Sequence, residues 1–183
     1  AGFVVLGAMN EPSAAAVEFL NRYLKNLGPR SPKRYVITYD LGGGTFDTSV
    51  VGISGNGHDV IAYEGIARLG GDDFDAVLLD MVLEAIGVAK KDLSPSTTVR
   101  LLEECRERKE GLKPNTRKMV IDAGTILPDA GPVMLETAQI YERCTPLIRQ
   151  TIAAVQTLIK KMLQTNGPLE GPVLAAVYLV GGS

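Results

Sequence analysis

The sequence predicts an α/β fold, a sheet with helices packed against it. Three observations carry that prediction. Residues 35–40, 47–54 and 58–68 are successive runs rich in β-branched and aromatic side chains, separated only by glycine-containing turns. After them, apolar residues recur at helical spacing, most extensively from Ile140 to Leu163, over roughly seven turns. One more apolar run, Leu174 to Val180, reads as a final buried strand.

Taken in order, residues 3–9 suit a buried strand, and Asn10-Glu11-Pro12-Ser13 then opens a helix from Ala14 to Leu27. Ser13 or Asn10 can cap that helix, with Pro12 in its first turn and Glu11 complementing its dipole. Gly28-Pro29-Arg30-Ser31-Pro32 ends it. The three strands at 35–68 are expected to be consecutive and antiparallel, with Ser54-Gly55-Asn56-Gly57 as the second turn and His58 solvated beside it. Leu69-Gly70-Gly71-Asp72-Asp73-Phe74-Asp75 leads into a helix whose Phe74, Val77, Leu78, Met81, Val82 and Ala85 share one face. Residues 87–98 read as a linker. A charged helix over 98–112 follows, with Val99, Leu102 and Cys105 inward. Two strands, 117–122 and 131–136, flank the loop from Gly124 to Ala130. In the long stripe that comes next, Ile140, Cys144, Leu147, Ile148, Ile152, Val155, Leu158, Ile159, Met162 and Leu163 are expected in the core. Pro146 is expected to kink or divide that helix, and Asn166-Gly167-Pro168 to end it.

The candidate site is the octet between the first two strands of the hairpin, Asp40-Leu41-Gly42-Gly43-Gly44-Thr45-Phe46-Asp47. Three glycines make a turn and admit close approach of another group to the backbone. One reading is a glycine-rich hairpin with acids at its edges by chance. The other is a phosphate site, in which glycine N–H groups meet phosphate oxygens, Thr45 adds a hydroxyl, and a carboxylate holds magnesium through its waters. It is neither a Walker A loop, since no lysine follows the glycines, nor a dinucleotide fingerprint, since a strand rather than a helix follows.

Bulk properties narrow the function classes. Hydrophobic residues make up 45% of the 183, which excludes a disordered chain. A net charge of −2 gives no basic field for nucleic acid or an anionic membrane. There is no run of 18 apolar residues and no basic-then-apolar leader. Cys105 and Cys144 form no CxxC; a disulfide is open to them, but buried thiols in a reducing cytoplasm are the expectation. The opening in an apolar run without an initiating Met, and the close on Gly181-Gly182-Ser183, suggest a segment of a longer protein.

The octet closely resembles the second phosphate loop of the Hsp70/DnaK chaperones, in the actin-like ATPase superfamily. Asn10-Glu11-Pro12-Ser13-Ala14-Ala15-Ala16 resembles that family's connecting segment, Leu69 to Asp75 its Leu-Gly-Gly helix start, and Val180-Gly181-Gly182-Ser183 its adenosine loop. The four motifs stand in family order over nearly the whole chain. The resemblance implies lobe II of an actin-like (ribonuclease H-like) ATPase fold, a mixed sheet with packed helices plus a smaller α+β outer subdomain. It places the inner subdomain at 1–69 and 136–183, with the phosphate loop at 40–47, and the outer one at 70–135.

The resemblance also implies roles. Gly42, Gly43 and Gly44 would donate N–H bonds to the β and γ phosphates of ATP, and Thr45 its hydroxyl. Asp40 would hold magnesium-bound water and orient the attacking water, and Glu11 would complete the outer metal shell. Asp47 would either join this site or only cap the turn. Gly71, Lys109, Gly181, Gly182 and Ser183 would approach the nucleoside. The family's adenosine clamp is only partly matched: Lys109 is kept, but Arg106, Glu110 and Lys113 stand where Glu, Arg and Ser are expected. ATP/ADP and Mg2+ are the implied ligands. Client polypeptides, J-domain proteins and nucleotide-exchange co-chaperones are the implied partners of the full-length protein, and the cytoplasm is its implied location. The isolated segment, lacking lobe I, is expected not to turn over ATP. Two alternatives are another actin-like ATPase, such as a cell-shape filament protein or sugar kinase, and a non-catalytic nucleotide-sensing module.

Overall fold

The computed structural model describes residues 4, 14–15, 17–19, 22, 34–54, 57–166 and 174–182. Of the expected strand at 3–9 only Val4 is described, and it is exposed; Glu11 and Ser183 lie outside the described residues. The chain divides into two compact units, residues 1–68 with 151–182, and residues 69–150.

The first unit is built on a four-stranded mixed sheet. Its strands are β1 (Arg34–Leu41), β2 (Phe46–Ser54), β3 (Gly57–Ile66) and β6 (Leu174–Val180), in the order β3-β2-β1-β6. The two hairpins are antiparallel and β6 runs parallel to β1. The three consecutive strands therefore form as expected, and the late strand joins their sheet. Strand alternation sorts the side chains onto two faces. Val36, Val51 and Ile53 pack with Phe19 on one. Tyr35, Ile37 and Val50 pack with Leu158 and Met162 on the other. Strand β6 is not buried as expected: Leu179 is 70% exposed, and Leu174 and Val177 are also exposed. Among the described residues only its other face is covered, where Tyr178 meets the Phe19 ring at a centroid distance of 5.6 Å.

The second unit contains α1 (Gly71–Ile86), α2 (Pro95–Glu110) and a two-stranded antiparallel ladder, β4 (Lys118–Ile121) with β5 (Val133–Glu136). Helix α1 ends on Gly87, whose φ of 69° requires glycine in practice. Helix α2 begins three residues earlier than its apolar pattern suggests, because Ser94 Oγ accepts from Thr97 N at 3.1 Å and Pro95 fits the first turn. Cys105 points inward as expected, with Leu101 beside it and Leu102 half-buried, while Val99, expected inward, is exposed. The core joins Leu78, Leu79, Val82, Leu101, Ile121 and their neighbours.

Helix α3 (Thr137–Asn166) begins in the second unit and continues from Thr151 in the first. Pro146 does not divide it. Pro146 and Glu142 are both exposed, so the carbonyl that loses its amide partner lies on the solvent side. Thr145 Oγ1 donates to Tyr141 O at 2.7 Å in the same turn. The buried line of this helix runs through Ile140, Cys144, Thr151, Ala154, Leu158 and Met162. Ile148, Ile152 and Leu163, expected in the core, are exposed on its flank. The small residues Thr151 and Ala154 mark the close approach, which a reading based on bulky side chains passes over.

Cys105 and Cys144 are both buried free thiols. Burial, with the charges of Asp75 and Glu104 added, pushes the Cys105 thiol from 9.0 up to about 12. The sign follows from linkage: a raised folded pKa gives stability that is complete below the unfolded value and is lost as pH rises from about 9 towards 12. At about pH 10.5 the loss should be about 2 kcal/mol, from 1.36 kcal/mol per pH unit. Urea unfolding at stepped alkaline pH should therefore show a steeper decline in the parent than in Cys105→Ala.

Candidate functional site: the turn end of the sheet

The β1–β2 register sets Asp40 opposite Asp47 and Leu41 opposite Phe46, leaving Gly42 to Thr45 as the connecting loop. Gly42 N donates to Thr45 O at 2.9 Å and closes the turn. That amide is therefore engaged by the turn itself. Gly43, Gly44 and Thr45 are exposed. A Cβ built on Gly43 would meet no atom within 4 Å. Positive φ among the described residues falls at Gly57, Gly87, Gly131 and Gly181, not in this loop. Gly43 thus leaves space free, and none of the loop glycines adopts a left-handed backbone.

Below the loop, one sheet face carries a polar column. Thr38 and Ser49 share a buried hydrogen bond of 2.6 Å between their hydroxyls. Next along the strands come Asp40 and Asp47. Tyr63 OH donates to Asp47 Oδ1. Gly65 stands opposite Asp47, and a Cβ there would lie 2.8 Å from both Asp47 Oδ1 and Tyr63 OH. On the other side, Asp40 pairs with Val180, the last residue of β6. Gly181 follows with φ +99°, and a Cβ on it would lie 2.2 Å from Leu41 O and 2.8 Å from Asp40 Oδ1. The structure thus brings together Asp40, the loop glycines, Thr45 and Gly181. Gly182 is exposed, and a Cβ on it would meet nothing within 4 Å.

The second unit unites two more of the expected residues. Lys109 Nζ donates to Gly71 O at 2.9 Å. It also lies 2.8 Å from Asp75 Oδ1, an ion pair short in distance but not aligned as a hydrogen bond. Arg106 Nε donates to Asp75 Oδ2 at 3.0 Å, and its Nη2 to Asp72 Oδ1 at 2.5 Å. Asp75, only 1% exposed, is therefore the hub that ties α2 to the start of α1. A buried carboxylate needs such partners, since an uncompensated buried charge is strongly destabilising. Glu110 and Lys113 are exposed. The importance of Asp75 and Tyr63 escaped the sequence reading. The signals available were a third acid at the α1 start and a glycine inside β3 two residues after a tyrosine, hence on the same sheet face.

Among the described residues no three His, Cys, Asp or Glu converge to hold a metal directly. Asp40 and Asp47, opposed on adjacent strands, are hard oxygen donors of the kind that hold Mg2+ through its waters. No helix among the described residues is long and apolar enough to cross a membrane.

The family model described as "Hsp70 protein" matches residues 1–183. A heat shock cognate HSP70 protein of Trypanosoma brucei brucei is 34% identical over 189 residues, covering all of this chain and 26% of its own length. A chaperone protein HscA homolog of Azotobacter vinelandii is 35% identical over 184 residues, again covering all of this chain and 26% of that protein. The HscA homolog of Colwellia psychrerythraea is 35% identical, with 27% of its length covered. The chain thus spans about a quarter of the length of these relatives. It belongs to the Hsp70 family, and its mixed sheet with packed helices is the actin-like ATPase fold of that family.

Proposed function

We propose that residues 40–47 bind the β and γ phosphates of ATP, and that the full-length protein hydrolyses ATP as a chaperone. The observation that carries this reading is the open, exposed loop at Gly43, held on two strands whose Asp40 and Asp47 stand opposite each other at its base. A hairpin turn alone requires neither empty space at a glycine nor two opposed carboxylates below it. Gly43 and Gly44 donate N–H bonds to phosphate oxygens, Gly42 shapes the turn, and Thr45 adds its hydroxyl near the γ-phosphate. Asp40 orients the water that attacks the γ-phosphorus and accepts a hydrogen bond from it. Water adds to phosphorus, the bond to the bridging β–γ oxygen breaks, and ADP leaves with that oxygen. Magnesium, when bound, supplies neutralisation of the phosphate charge, with Asp40 and Glu11 holding its waters. The catalytic demand on the protein is positioning and charge stabilisation.

Gly71, Lys109, Gly181, Gly182 and Ser183 are proposed to approach the nucleoside. The relatives' names support a chaperone role, with client polypeptides, J-domain proteins and nucleotide-exchange co-chaperones as partners and the cytoplasm as location. One observation favours a second reading, a non-catalytic nucleotide-sensing module. Arg106 stands where the family's glutamate is expected, and it is held by Asp72 and Asp75.

Nucleotide titration of the full-length protein and its Gly43→Ala variant tests the proposal. Alanine at Gly43 meets no protein atom, so stability should stay within about 1 kcal/mol of the parent. The methyl group would occupy the phosphate's space, and affinity for ADP and ATP should fall at least ~10-fold, about 1.4 kcal/mol. Equal nucleotide affinity in both proteins would remove the phosphate assignment. Tight binding of ATP without turnover would favour the sensing module.

A further inference from the structure

We propose that Tyr63 is a positioning residue for the acid pair of the phosphate loop: its phenol fixes Asp47, so that Asp40 and Asp47 act as two different carboxylates. The proposal rests on the phosphate-site reading and deepens it by adding a residue outside the loop. Register is the first support. Asp40 faces Asp47, Asp47 faces Gly65, and Ser49 faces Tyr63, so Tyr63 lies diagonal to Asp47 on the same sheet face. A diagonal neighbour is within reach of an aromatic side chain. The Tyr63 hydroxyl uses that reach to donate to Asp47 Oδ1.

Electrostatics is the second support. Like charges directly opposite on paired strands destabilise a sheet. A donor to one of the two carboxylates offsets that cost, and a hydrogen bond to an ionised acceptor is about twice as strong as a neutral one. Tyr63 is 53% exposed, so burial does not force its hydroxyl to find a protein partner. Gly65 is the third support. A Cβ at that position would lie 2.8 Å from both the Asp47 oxygen and the Tyr63 hydroxyl, so these side-chain ends would have to shift from their present contact to admit it. With Oδ1 engaged, Asp47 becomes a fixed, hydrogen-bonded carboxylate. The phosphate-site reading gives the other member, Asp40, the task of organising cation-bound water.

The test uses the full-length protein carrying Tyr63→Phe, which keeps the ring and removes one hydroxyl. The expected result is a fall in kcat for ATP hydrolysis of about tenfold, the scale of losing a hydrogen bond to a charged group. ADP affinity at saturating Mg2+ should stay within about twofold, because the loop amides that hold phosphate are untouched. The Mg2+ concentration that half-saturates ADP binding should rise, a readout independent of turnover. Gly65→Ala should reproduce these effects by separating the pair. In an Asp47→Asn background, Tyr63→Phe should cost little more, because coupled residues are non-additive. A merely structural tyrosine would instead lower the melting temperature and add its full effect in both backgrounds. Parent-like kcat and Mg2+ requirement in Tyr63→Phe, or full additivity with Asp47→Asn, would overturn the proposal. If that happens while Asp40→Asn is inactive, the phosphate site stands and only the role of Tyr63 falls. Parent-like hydrolysis in Asp40→Asn would overturn both.

Discussion

Gly181→Ala should cost the first unit about 2–5 kcal/mol of stability. Two terms contribute. The backbone at Gly181 has φ +99°, a conformation L-residues rarely adopt, with a strain of about 1–2 kcal/mol. The added Cβ would lie 2.2 Å from Leu41 O and 2.7 Å from Leu41 C. Those atoms are backbone at the end of a central strand and cannot swing aside as a side-chain tip can. Overpacking of this kind typically costs about 1–3 kcal/mol. Against a typical total of about 5–15 kcal/mol, such a loss is large. Urea unfolding of the parent and variant measures it. Hydrogen exchange should localise it to the β1–β6 ladder, where Asp40 pairs with Val180. Gly182→Ala is the control, since a Cβ there meets nothing within 4 Å, and it should remain near the parent. A Gly181→Ala protein within about 0.5 kcal/mol of the parent would mean that β6 leaves the sheet by a different path.

The parts legible in the sequence are those set by local pattern. The run from Tyr35 to Tyr39, the three glycines and the run from Thr48 to Ile53 specify a hairpin, and its short loop sets Asp40 across from Asp47. The α1 stripe was legible in part for the same reason: Leu78, Met81 and Val82 are buried as expected, but Ala85 is exposed, and Leu79 and Leu83 are buried although outside the expected face. What escaped notice depends on long-range pairing. Tyr63 reaches Asp47 only through the β2–β3 register, which shifts between Val50 and Val51, and no local rule places that irregularity. Asp75 meets Arg106 across 31 positions of sequence, so its neighbours seemed to be helix-capping acids and nothing more. Burial by small residues is the third gap. Thr151 is buried and shares a 2.6 Å hydrogen bond with the Tyr39 hydroxyl, while the bulkier Ile152 beside it is exposed. Hydrophobic periodicity gives a helix its face only to within a residue or so, and tertiary contact decides the rest.

Asp40→Asn in the full-length protein should lower kcat for ATP hydrolysis by about 10²–10³, the scale for losing one preorganised electrostatic contact. ADP affinity should change far less. Removing the charge leaves the Gly43 and Gly44 amides where they are, and the amide is isosteric with the carboxylate it replaces. What it loses is the anionic acceptor that organises metal-bound and attacking water, and one of its two acceptor atoms becomes a donor. An effect confined to kcat marks an interaction made in the transition state rather than on binding. If Asp40 served only to end a strand, asparagine would satisfy the same turn groups and the variant would be mild. Thr45→Ala is the calibrating comparison, because it removes one exposed hydroxyl and no charge, and its cost should be smaller. Single-turnover hydrolysis with parallel ADP titration separates these cases. Near-parent hydrolysis by Asp40→Asn would end the catalytic assignment and reduce the octet to a glycine-rich hairpin between two strands.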